Sequence, residues 1–126
     1  MFFFVGAKSP KGMVEELLDC NVFVNPSCME VHALSLREAM TVGVPCISSL
    51  CGSVAEYMNH GKNGFIYRYE EYEILAYYIK ILFENDDMCK SIGYKAKVDM
   101  DNKCKNLSDM TLEKIYEVVT VGNNKC

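Results

Sequence analysis

Short apolar runs alternate with segments of helical period along most of this chain, and that alternation limits the fold more than any other feature. Residues 2–5, 22–24, 44–48 and 65–67 are rich in β-branched and aromatic side chains and are bounded by Gly, Pro or Asn. Between them, Val14, Leu17 and Leu18 recur at helical spacing after Gly12. Leu36, Ala39, Met40 and Val42 do the same from about Ser35 to a stop at Gly43, and residues 54–58 make a shorter helix. Residues 70–83 place Ile74, Leu75, Tyr78, Ile81 and Leu82 on one stripe, and a further helix is expected over 88–98. Residues 99–109 are polar and read as a linker, followed by a terminal amphipathic helix over 110–121 carrying Leu112, Ile115, Tyr116 and Val119. Strand and helix in strict alternation with short connections imply an α/β fold, a doubly wound parallel sheet with right-handed crossovers.

The 126 residues suit one modest domain, and a composition half hydrophobic and 24% charged can fill a core. A net charge of -4 argues against nucleic acid as a partner, because binding phosphate backbones needs clustered Lys and Arg. Seven cysteines form an odd set without the two-residue spacing of zinc or redox motifs, so they read as small apolar side chains in a reducing cytoplasm. The opening run 1–5 lacks a basic leader and is too short for a signal core. No segment reaches the roughly 20 apolar residues of a transmembrane helix. The expected location is the cytoplasm, either free or peripheral at the inner face of the membrane.

The chemistry should lie where the second apolar run gives way to the second helix. In open parallel sheets, ligands bind outside the carboxyl ends of the strands, facing the positive end of the following helix. Glu30 and Glu38, with seven residues between them, flank that junction. Two carboxylates there can accept hydrogen bonds from sugar hydroxyls while the amides between them hold phosphate. Glu38 has a plainer reading too: Ser35-x-x-Glu38 is a capping box, worth about 1 kcal/mol to the helix start. Both roles can hold together.

Other polar residues carry less. His32 has no acidic partner that would make it a base, and His60 beside the Gly61–Gly64 turn reads as solvated. Ser27, Ser48 and Ser53 lack the elbow of a hydrolase nucleophile. Glu56 orients a short helix, and Lys8 and Lys11 read as surface lysines of a loop. The Tyr67/Tyr69 and Tyr77/Tyr78 clusters are packing or interface residues.

Five segments, in order, resemble one family. Residues 21–27 (Asn-Val-Phe-Val-Asn-Pro-Ser) are similar to its "DVFVLPS" strand, and Glu30 through Ala39 to its "E, seven residues, EA" signature. Residues 40–48 resemble "MxxGxPVIxS", 51–56 "GGxxE" and 61–67 "GxNGxL". The family is the retaining, nucleotide-sugar-dependent glycosyl transferases group 1 (family 4-like) with the GT-B fold. The resemblance implies that residues 1–98 are the second half of its carboxyl-terminal, donor-binding domain. It also implies roles: Glu30 for hydroxyls of the transferred sugar, Glu38 for the ribose, backbone of His32, Ala33 and Leu34 for sugar and distal phosphate, and Ser35 for a contact at the helix start. No side chain of this chain is thereby a catalytic base. No cofactor and no metal are expected, since cationic side chains and helix dipoles stabilise the departing diphosphate in this group. Val31-His32-Ala33 stands where many relatives have Gly-Phe-Gly, so the loop lacks glycine's conformational range.

The function so implied is transfer of a sugar from a nucleotide-sugar donor, in cell-surface polysaccharide or lipopolysaccharide synthesis. The alternative is a non-catalytic remnant or split-gene product that at most binds nucleotide sugar, or pairs with a separate polypeptide supplying the missing domain.

Overall fold

The computed structural model of the protein describes residues 9–29 and 33–103. The strand expected over 2–5, Lys8, and the helix expected over 110–121 lie outside them.

Helix α1, Pro10–Asp19, starts where Ser9 accepts a hydrogen bond from the Gly12 amide at 3.1 Å and proline occupies the first turn, two devices suited to orphan donors. Lys11 therefore stands on a helix and not in a loop. Leu17 is buried and Met13 packs beside it, whereas Val14 and Leu18 face outward, so the expected stripe is turned by one row. Strand β1, Phe23–Asn25, follows, then helix α2, Leu34–Val42, which buries Leu36, Ala39 and Met40 as their spacing requires. Gly43 ends it at φ +96, and the amides of Gly43 and Val44 bond back to the Ala39 and Met40 carbonyls. Strand β2, Cys46–Ser49, is buried at all four positions. The short helix α3, Val54–Tyr57, strand β3, Phe65–Tyr67, and helix α4, Tyr72–Glu84, come next.

The three strands pair in parallel in the order β1-β2-β3, with Asn25 opposite Ser48 and Ser49 opposite Tyr67. Parallel strands need crossover connections, and α2 and α3 supply them. One face of the sheet carries α1, α2 and α3 over Phe23, Cys46 and Ile66; the other carries α4 over Val24, Ile47, Phe65 and Tyr67. Such two-faced coverage is why β2 is buried at every position.

A last helix, α5, occupies 86–103, where the described residues end. It extends past the expected 88–98 and takes up the first five residues of the expected linker. The reason is packing. Met88, Cys89 and Ile92 join the cluster under α4, while Ala96 and Met100 join the opposite one, so α5 ties the two layers together. Midway, Gly93 lies so close to Gly43 that a methyl group on it would sit 2.2 Å from the Gly43 carbonyl oxygen.

The Gly61–Gly64 turn is organised by Asn63, which is fully buried. Its Oδ1 accepts from the Asn59 amide at 2.7 Å, and its Nδ2 donates to the Tyr57 carbonyl at 3.2 Å and to Asp99 Oδ2 at 3.0 Å. His60 is not simply solvated: Nδ1 accepts from the Ile66 amide at 2.9 Å, and the ring stands edge-on to both Phe65 and Tyr78. Tyr78 in turn stacks on Phe65 at 4.6 Å, the packing role expected of it, while Tyr77 is exposed.

Burial of Cys46, and secondarily its proximity to Cys20, pushes that thiol well above its ordinary value near 9. The folded state then keeps a proton that the unfolded state releases above about pH 9, so stability falls as pH rises beyond that value. A maleimide reagent is expected to modify the exposed Cys20 and Cys28 in the native protein and to reach Cys46 only in urea, as read by peptide mass spectrometry. Native modification of Cys46 would contradict the packing described.

Candidate functional site: the carboxyl edge of the sheet

At the carboxyl ends of the strands the connecting segments converge. The junction entering α2 is built without a side-chain cap: Ala33 is the N-cap residue and makes no capping bond, and the first backbone bond runs from the Arg37 amide to the Ala33 carbonyl. The helix starts at Leu34, so Ser35 sits inside the first turn, and the Ser35/Glu38 capping box is not formed. The N-cap residue, Ala33, has no polar side chain to offer the amides of Leu34, Ser35 and Leu36 at this helix N-terminus, and among the described residues no side chain is bonded to them. Such an end attracts an anion through partial positive charge and free donors.

Ala33 is buried in the core, so only its backbone faces the junction. Leu34, Ser35 and Glu38 are exposed, and their i, i+1, i+4 spacing puts them on one side of α2. Glu30 and His32 lie outside the described residues. The structure therefore brings Ala33, Leu34, Ser35 and Glu38 to one corner, at the carboxyl side of β1. Arg37, next to Glu38, turns the other way and rests 4.8 Å over the Tyr57 ring.

Beneath this corner lies a group of polar residues that the sequence did not single out as a unit. Ser27 Oγ donates to Asn25 Oδ1 at 3.0 Å, and Asn25 Nδ2 donates to Ser48 Oγ at 3.2 Å. Ser48 Oγ donates to the Ser49 carbonyl at 2.9 Å, and Ser49 Oγ donates to the Ser27 carbonyl. The four residues close a ring that ties the end of β1 to the end of β2. With its one proton committed to Ser27, the Ser49 oxygen is left to accept from the Cys51 thiol 3.7 Å away. Asn25, Ser48 and Ser49 are buried and exchange water for internal partners, while Ser27 is half-buried. The signal was an Asn and two Ser at the ends of apolar strands, where burial demands partners.

The segment after β3 leaves from the same edge. Tyr69 is pushed above its ordinary phenol value by Tyr72 first and then by Cys28. Tyr67 moves the same way through burial first, then Tyr72 and Cys51. Glu70, between them, has φ +81, a conformation side chains other than glycine seldom adopt. The backbone carbonyl of Glu56 accepts from Lys103, a contact that does not involve its carboxylate.

The opposite, amino edge carries a cleft of about 410 Å³ lined by Asn21, Val22, Pro45, Phe83 and Cys89 among others. It stands away from the strand ends at which ligands of this architecture bind. Among the described residues no three His, Cys, Asp or Glu side chains gather in a way that could hold a metal ion. No helix among them is long and apolar enough to cross a membrane.

The family model for glycosyl transferases group 1 matches residues 1–99. The chain belongs to that family. The N,N'-diacetylbacillosaminyl-diphospho-undecaprenol alpha-1,3-N-acetylgalactosaminyltransferase of Campylobacter jejuni is 26% identical over 92% of this chain and 30% of its own length. Sucrose-phosphate synthase from Thermosynechococcus elongatus superposes with a TM-score of 0.79 at 21% identity, over 93% of this chain and 30% of its own. Anabaena HepE in complex with UDP-glucose superposes with a TM-score of 0.76 at 21% identity, over 84% and 30% respectively. The chain thus spans less than a third of each of these relatives, and its fold is that of part of a GT-B glycosyltransferase.

Proposed function

We propose that this chain is the donor-holding part of a retaining glycosyltransferase, with a uridine diphosphate sugar as its ligand. The observation that carries the reading is the N-terminus of α2 at the carboxyl side of β1, capped by no side chain among the described residues, with Ser35 and Glu38 on its exposed side. The diphosphate would lie against the amides of Leu34 and Ser35, with the backbone of His32 and Ala33 beside it. Glu38 would accept from the ribose hydroxyls, and Glu30 from hydroxyls of the sugar. HepE, which is similar in fold, holds UDP-glucose, which favours uridine over other bases. The leaving diphosphate would be stabilised by helix N-terminal charge and cationic groups without a metal, and the reaction would take place on the cytoplasmic side of the membrane in the assembly of a cell-surface glycan.

Calorimetric titration with UDP-glucose and a GDP-sugar tests this. UDP-glucose is expected to bind, and Glu38→Ala to weaken it about tenfold, the worth of one charge-assisted hydrogen bond. No heat at millimolar ligand would overturn the proposal.

A further inference from the structure

We propose that Ser49 is a positioning residue for the donor: its hydroxyl clamps the root of the β1–α2 crossover at Ser27, so that the chain leaves β1 for the donor corner in one fixed direction. The inference rests on the reading of that corner as a nucleotide-sugar site, and extends it to a residue on a different strand. Three features carry it.

The first is where the bond lands. Ser49 is on β2, 22 residues away in sequence from Ser27, yet its hydroxyl bonds the Ser27 carbonyl, the first backbone carbonyl of the crossover after Pro26. The second is that Ser27 is held twice. Its own hydroxyl donates to Asn25 while its carbonyl accepts from Ser49, so neither the side chain nor the peptide plane can turn without breaking a bond. The third is that these bonds are buried at their base. Ser48 and Ser49 have no exposed surface, so each hydroxyl is desolvated and needs an internal partner, a cost that apolar side chains would not carry. A polar ring retained in such a place fixes one geometry where apolar packing would permit several.

A site that holds its ligand by backbone amides depends on such fixing, because misplacement by an ångström removes the bonds. Ser49 itself reaches no ligand, since its hydroxyl is spent inside the ring.

The test combines ligand affinity with local order in the full chain. In Ser49→Ala, UDP-glucose affinity is expected to fall about tenfold. Backbone ¹⁵N order parameters of Ser27, Cys28 and Met29 are expected to drop from about 0.85 to below about 0.6, with those of α4 unchanged. Ser49→Thr, which keeps the hydroxyl on a strand that favours branching, is expected to restore both. Ser27→Ala, half-buried and milder for folding, is expected to lower affinity about threefold in the same direction. Wild-type affinity together with wild-type order parameters in Ser49→Ala and Ser27→Ala would overturn the inference while leaving the donor site standing. If the unaltered chain binds no UDP-glucose, the donor reading fails, and the order parameters alone still decide whether Ser49 holds the crossover.

Discussion

Gly93→Ala is expected to lose roughly 2–3 kcal/mol of stability, a fall in melting temperature on the order of 10 °C. Two effects of opposite sign meet at this position. Helix propensity alone favours alanine over an interior glycine by about 1 kcal/mol, so a substitution judged from α5 in isolation would stabilise the protein. The contact with α2 decides otherwise. A Cβ at position 93 would lie 2.2 Å from the Gly43 carbonyl oxygen and 3.2 Å from its carbonyl carbon, and these are backbone atoms with no rotamer by which to escape. Gly43 cannot retreat, because it holds φ +96 as the cap of α2 and its amide is bonded to Ala39 and Met40. Relief requires moving α5 away from the sheet, which would open the contacts of Ile92 and Ala96 on the two sides of the glycine. Urea unfolding of both proteins measures the difference as a shift of midpoint at constant slope. A variant as stable as the parent, or more so, would mean that α5 does not cross α2 at this distance.

Asn63→Asp is expected to cost about 3 kcal/mol at pH 8 and far less at pH 4. The amide nitrogen of Asn63 donates to the Tyr57 carbonyl and to Asp99 Oδ2, so replacing it by oxygen sets a carboxylate against two acceptors, one of them charged. Lys95 bonds the other oxygen of Asp99 at 3.1 Å, but its side chain is more than half exposed, so it offsets little of the repulsion. The sign with pH follows from proton counting. Two carboxyls in one site share a proton at pH values where both would be ionised in the unfolded chain. The folded state then binds more protons, and stability declines as pH rises from about 4. Asn63→Ala provides the comparison: it leaves the Asn59 amide and Asp99 without their partner, for a loss of about 2 kcal/mol with little dependence on pH. Denaturation midpoints of the two variants at pH 4.5 and 8 separate the charge effect from the lost hydrogen bonds. Equal losses at both pH values would show that Asn63 does not face Asp99.

Much of this architecture could be read from spacing because neighbouring residues determine it. The apolar runs of β1, β2 and β3, the Leu36/Ala39/Met40 stripe and the Gly43 stop all express local periodicity and dihedral preference. What escaped the sequence depends on contacts between distant segments. The polar residues 99–103 are helical because Met100 and Asp99 find partners on the sheet face and in the 61–64 turn. Val14 and Leu18 carry the same helical period as Met13 and Leu17, and only the position of α2 selects which row is buried.

The candidate site divides along the same line. Ala33, Leu34, Ser35 and Glu38 gather at a strand-to-helix junction that the sequence located, although the helix begins one residue earlier and the capping box does not form. The ring of Ser27, Asn25, Ser48 and Ser49 was not legible, because its bonds join residues 22 and 23 positions apart across a strand pairing. Gly93 inside the expected 88–98 helix was likewise not legible as a contact point, because its neighbour, Gly43, is distant in sequence.

The central claim is that the carboxyl edge of this sheet, at the N-terminus of α2, holds a nucleotide sugar. Backbone amide shifts of ¹⁵N-labelled protein titrated with UDP-glucose address it residue by residue. Saturable changes confined to Ala33, Leu34, Ser35, Glu38 and the adjoining ends of β1 and β2 are the result this account predicts. Unchanged spectra at millimolar UDP-glucose, or changes gathered instead around Asn21, Val22 and Phe83 at the amino edge, would contradict it.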